Sequence, residues 1–329
     1  MERSGLWALA AGFALLLPPD VRAEAPDVVA SIKPVHSLVA AVMAGVGEPT
    51  LLVKGVASPH TYALKPSDAA ALERADLVFW VGEGFELFLA RPLESLADEN
   101  RVVELADTDG LMLLPPREGG LWEAHLDEHA ADEDHDHDHD HDEEAHVDDH
   151  EHHAHGAFDG HLWLDPHNAK LMAGRIADVL ADRDPANADL YKANGEALQA
   201  KLDSLDSELT IRLAPVKRLP FIVFHDAYQY FEKRYGLAGV GSITVSPEQP
   251  PGAKRLQEIR DKIAAHGARC VFREPNFEPA LVDTVIAGTA ARSGVLDPEG
   301  ASLTEGPELY FDLMRALVNS LGACLASSS

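Results

Sequence analysis

At 329 residues, 46% of them hydrophobic, the chain is long enough for two ordinary α/β domains, each with its own core. A formal net charge of −28 excludes nucleic acid as a partner. The 16 acidic residues between Glu123 and Asp159, a stretch with no Lys or Arg, supply more than half of that charge, so it belongs to an insertion rather than to the fold.

The N-terminus combines a basic Arg3, an apolar run from Gly5 to Leu17 and small residues at Val21 and Ala23. The run is too short to span a bilayer comfortably, and the pattern reads as a cleavable signal peptide over residues 1–23. No cysteine follows it, which argues against a lipid anchor. The expected product is a periplasmic, monomeric chain that starts near Glu24 and is not inserted in a membrane.

Short apolar runs then alternate with helical patterns. Strands are expected over 27–32, 50–56, 76–82 and 101–105. Helices are expected over 34–47, opening on Pro34, and over 66–75, with Ser67 as its cap. From about 115 to 160 the apolar periodicity vanishes among His, Asp, Glu and Gly, a composition that cannot offset its own ordering entropy and predicts a disordered loop. Order returns at "GHLWLDPHNAK" (160–170), with a helix from Pro166. A longer helix runs over 185–214, with Leu198, Leu202, Leu205 and Leu209 forming one apolar stripe that Pro215 ends. Strands over 220–224, 239–245, 269–275 and 292–298 alternate with further helices, and a helix over 307–325 closes the chain. The fold class is therefore α/β: two lobes, each a roughly four-stranded parallel sheet with flanking helices, joined by the long helix. The N-terminal lobe covers 24–184, the linking helix 185–214 and the C-terminal lobe 215–329.

Outside the loop stand six histidines. His60 lies in "ASPHTYALKPSD", between a strand and a helix. His225 lies directly after the apolar strand in "FIVFHDAYQYF", before a helix. His161 lies in "GHLWLDPH", where the loop re-enters the fold. Ligands of open α/β sheets collect beyond the carboxyl ends of the strands, and two of these histidines sit at such ends, one in each lobe. A cleft between the lobes would gather all three, and three neutral imidazoles suit Zn²⁺. His36, on the helix after the first strand, is a weaker candidate, and His167 and His266 read as structural or solvated. The loop adds His125, His129, His135, His137, His139, His141, His146, His150, His152, His153 and His155, an accessory store of weak sites beside the cleft. Two cysteines, Cys270 and Cys324, suit one disulfide in an exported chain, the other reading being two buried thiols.

"SPHTYALKPSDAAALERADLVFWVG", "GHLWLDP", "FHDAYQYFEKRYGL", "CVFREPNFEP" and "LDPEG" resemble the zinc-specific periplasmic solute-binding proteins of ABC importers, the ZnuA type, in the right order over nearly all of the mature chain. The resemblance implies two lobes on one rigid helix with the metal between them, His60, His161 and His225 as ligands, a Cys270–Cys324 disulfide, and an ABC permease with its ATPase as partners. It departs at Pro59, where some members carry a glutamate that joins the metal. The fourth position then falls to water or to Asp297 of "LDPEG", whose other reading is a turn cap. The expected function is capture of Zn²⁺ and its delivery to the permease, without catalysis. A zinc enzyme would need a placed general base, and no H-E-x-x-H is present. A manganese or iron binder of the same fold would prefer a carboxylate at position 225. A periplasmic zinc buffer or chaperone shares every feature except the permease.

Overall fold

The computed structural model describes residues 25–95, 101–117, 122, 158–244, 251–277 and 279–326. The expected signal peptide and the loop histidines from His125 to His155 lie outside the described residues.

Two four-stranded parallel sheets form the frame. The first holds β1 (Val28–Ala30), β2 (Thr50–Leu51), β3 (Leu77–Trp80) and β4 (Val102–Glu104) in the order β2-β1-β3-β4. The second holds β5 (Phe221–His225), β6 (Gly239–Thr244), β7 (Cys270–Arg273) and β8 (Arg292–Val295) in the order β6-β5-β7-β8. The topology is the same in both. Each chain path leaves its first strand to one side and returns on the other, which opens a switch point between β1 and β3 and another between β5 and β7. In register, Ala30 lies opposite both Leu51 and Phe79, and Phe221 opposite both Gly239 and Cys270.

Period-2 patterning assigns the two faces of each sheet. Val28 and Ala30 point inward while Val29 points outward beneath α2 (Pro66–Arg74) and α3 (Leu87–Glu94). Phe221 and Val223 point inward, and Ile222 and Phe224 outward beneath α7 (Ala253–His266) and α8 (Ala280–Ile286). The inner faces meet α1 (Lys33–Val42), α4 (Pro166–Arg183), α5 (Ala188–Leu213) and α9 (Leu309–Leu325) in one continuous core shared by both lobes. The leucine stripe of α5 is buried in it from Leu198 to Leu209.

Polar contacts stitch the lobes as well. Lys33 Nζ donates to the carbonyls of Gly300, Ala301 and Leu303, Trp163 Nε1 donates to Pro298 O at 2.8 Å, and Tyr310 Oη donates to Trp163 O at 2.7 Å. The pairing of the cysteines is settled: a Cys270–Cys324 disulfide fastens β7 to α9.

Three expectations need correction. Ser67 does not cap α2. Pro66 takes the first helical position, so Lys65 becomes the cap residue, and Asp68 reaches back to accept the Lys65 N–H at 3.0 Å. No element was expected over Leu87–Glu94, where α3 forms with Pro92 inside it. The margins of the expected disordered loop, 115–117 and 158–160, are bound to the fold: Gln229 donates to Pro115 O, and Tyr230, at the start of α6 (Gln229–Tyr235), donates to Asp159 O at 2.7 Å.

Candidate metal centre

The three histidines singled out by position come together. Each offers one ring nitrogen, and these atoms lie within 4.8 Å of one another. His60 arrives on the turn Ser58–Thr61 beyond β2, closed by the Thr61 N–H on Ser58 O. Tyr62 holds that loop to α2 by donating to Asp68 Oδ2 at 2.8 Å. His225 is the last residue of β5, so the strand itself aims it at the β5/β7 switch point.

His161 is positioned by the base of the insertion. Asp159 N donates to Leu114 O, and Leu114 N donates to Tyr230 Oη, so both arms of the insertion rest on α6 of the opposite lobe. Beyond His161 a buried single turn of 3-10 helix, Leu162–Leu164, leads into α4.

Carboxylates set the orientation of two of the rings. Asp159 Oδ1 lies 2.7 Å from His161 Nδ1, and Glu274 Oε1 lies 2.7 Å from His225 Nδ1. A carboxylate beside Nδ1 places the proton there, which leaves Nε2 with its lone pair. The two Nε2 atoms face each other at 3.3 Å. His60 Nε2 is buried and has no hydrogen-bond partner among the described residues. The site thus presents converging nitrogen lone pairs, which repel one another unless a cation sits between them.

The electrostatics agree. Burial, reinforced by the two neighbouring imidazoles, holds the pKa of His60 well below the usual imidazole range, so the ring is neutral and able to ligate. Burial also disfavours the charged form of His225, but the adjacent Glu274 carboxylate outweighs it and the net shift is upward. One residue further on, Asp226 is paired with Arg117, whose guanidinium also donates to Glu232 Oε2 at 2.6 Å.

The other candidates lie elsewhere. Asp297 is not in the group of three: its Oδ1 accepts the N–H groups of Glu299 and Gly300, shaping a turn. His36 is buried against Pro49 O, and His167 and His266 are exposed. Asp159, Glu274 and Phe85, which packs on two of the rings, were not anticipated. Glu274 directly follows an apolar strand, which marks a ligand-side position in such sheets. Asp159 is one acidic residue among 16 and carries no such mark.

The model of the zinc-uptake complex component A periplasmic family, ZnuA, matches residues 28–324. The chain is 54% identical over 311 residues to the high-affinity zinc uptake system protein ZnuA of Brucella suis biovar 1, covering 92% of each. It is 38% identical over 312 residues to the protein of the same name from Yersinia pestis, covering 95% of each. A crystal structure of ZnuA superposes with a TM-score of 0.71 at 28% identity, covering 92% of this chain and 99% of the other. With that match running from the first strand to the last helix, the chain belongs to the ZnuA family.

Proposed function

We propose that this protein captures Zn²⁺ in the interlobe cleft and hands it to an ABC permease served by its ATPase. His60, His161 and His225 are the ligands, and the periplasm is the compartment. The observation that carries this reading is the convergence of the three rings, two of them with Nδ1 fixed by a carboxylate. Nitrogen donors favour Zn²⁺ over Mn²⁺, which prefers oxygen and stands lower in the Irving–Williams order. Water completes a tetrahedral shell, since Pro59 offers no side-chain donor and Asp297 is not among the groups gathered with the three rings. The acids nearest the rings, Asp159 and Glu274, serve to orient imidazoles, a duty that suits binding better than general-base catalysis. The His125–His155 insertion raises the local zinc concentration and holds further ions weakly.

Titration calorimetry with zinc tests the reading. The wild-type chain gives one tight event and weaker ones. A variant lacking residues 123–157 keeps the tight event and loses the weak ones. Adding His161→Ala to that variant weakens the tight event by at least about tenfold, since loss of a residue that only orients a ligand already costs that much. Tight binding that survives His161→Ala, or equal affinity for Mn²⁺ and Zn²⁺ in competition, would exclude the proposal.

A further inference from the structure

The side chain that touches two of the three rings at once is neither a ligand nor a hydrogen-bonding partner. Phe85 lies edge-on to His60, with ring centroids 4.9 Å apart, and edge-on to His161, at 5.1 Å. Its third ring neighbour is Trp163, at 4.9 Å, whose indole is tied to Pro298 O of the opposite lobe. Phe85 therefore stands where the His60 turn, the His161 stem and the lobe junction meet.

Local structure fixes it there. In "GEGFE" (82–86) the N–H groups of Phe85 and Glu86 both donate to Gly82 O at 3.0 Å. Glu86 then turns back, and its Oε2 accepts the N–H groups of Val81 at 2.7 Å and Gly82 at 3.1 Å. This loop, in which Phe85 and Glu86 are buried, follows β3 at the β1/β3 switch point, as Glu274 follows β7 at the β5/β7 switch point. On the far side Gly160, the neighbour of His161, makes room. A Cβ added there would lie 2.6 Å from Phe85 Cβ and 3.1 Å from Cδ2, so only glycine permits this approach. Phe85 is 6% exposed.

Hydrogen bonds donated by Nδ1 to Asp159 and Glu274 fix the tautomers of His161 and His225, but His60 has no such partner among the described residues. Its tilt has to come from packing. Resting on the ligand assignment above, we infer that Phe85 is a positioning and specificity-determining residue: it holds the His60 and His161 rings at the spacing of a small tetrahedral ion and so disfavours larger ions with more ligands. Zn²⁺ accepts four ligands with nitrogen at about 2.0–2.1 Å, whereas Mn²⁺ favours octahedral oxygen-rich shells. Rigid rings satisfy the first need, and rings free to tilt would admit extra waters and relax the choice.

The test uses Co²⁺, whose visible absorption is intense in a tetrahedral site and weak in five- or six-coordinate ones. The protein is compared with Phe85→Ala, in both cases without residues 123–157 so that only the cleft reports. A tetrahedral spectrum is expected for the reference protein; its absence would sink the ligand assignment rather than the role of Phe85. With that spectrum present, Phe85→Ala should lose most of the intensity and narrow the Zn²⁺/Mn²⁺ affinity ratio by about tenfold or more, the size of an outer-shell effect. Phe85→Leu, which restores apolar bulk, should recover the spectrum. A folded Phe85→Ala protein with unchanged spectrum and ratio overturns the inference. If that variant does not fold, Phe85→Val carries the same reading, and an unchanged spectrum there overturns it equally.

Discussion

Glu274 illustrates how one carboxylate sets both affinity and its dependence on pH. As a proposed ligand, His225 must be neutral to bind metal, and a proton on Nε2 competes with zinc for the same lone pair. The Glu274 carboxylate stabilises the imidazolium and raises the pKa of His225, so in the metal-free protein protons begin to compete at a higher pH than they would otherwise. Below that raised pKa, zinc affinity should fall as pH falls; above it, affinity should level off. Glu274→Gln keeps an oxygen acceptor for Nδ1–H but removes the charge. Zinc affinity at neutral pH should drop by about 10- to 100-fold, and the bend in the affinity–pH curve should move to lower pH. Zinc titrations at several pH values would reveal both changes, and a bend that stays in place would separate His225 from Glu274. Asp159 acts on His161 in the same geometric manner, through the 2.7 Å contact with Nδ1.

At the level of elements, most of the frame was legible because the strands are short apolar runs between turn residues and the helices carry one-sided stripes. "DLVFWVG" became β3, and the Leu198–Leu209 stripe became the buried face of α5. His60 and His225 were legible for a related reason, since each follows a strand on the side where α/β sheets bind ligands. What could not be read are contacts that couple distant segments. Glu274 and His225 are 49 residues apart, and nothing local in either segment announces their pairing. Phe85 looks like any core aromatic until Gly160 is seen to make space for it. The disulfide belongs to this scale too, joining β7, which leads into Glu274, to the closing helix α9. It closes a loop whose ends are 54 residues apart in sequence. Replacing both Cys270 and Cys324 by Ser should lower stability by about 2–4 kcal/mol, measured as a lower denaturant midpoint. One zinc should still bind tightly, because neither sulfur touches the three rings. Loss of tight binding in a folded double variant would show that the anchoring of β7, and not only Glu274 itself, sets the geometry of His225.

For the whole molecule, the decisive feature is the continuous core, shared by both lobes, that runs from β1 through α1, α4 and α5 to β5 and α9. Proteins that close by a hinge have separate lobe cores and a few connecting residues that absorb the motion. Here the Lys33, Trp163 and Tyr310 hydrogen bonds and the shared apolar packing would all have to break for the lobes to part. Small-angle X-ray scattering of the protein without residues 123–157 should therefore give the same radius of gyration with and without zinc. A clear contraction on loading would show that the shared core yields. If it does not yield, the empty and the loaded protein present one silhouette. A transporter that meets both forms in a crowded compartment cannot tell them apart by outline. It would have to sense something local at the mouth of the cleft, such as the charge brought by the ion or the stiffness of the His60 turn. Empty carriers would then compete with full ones for every docking event, and the flux of metal would depend on the proportion of carriers that are full as much as on how many there are.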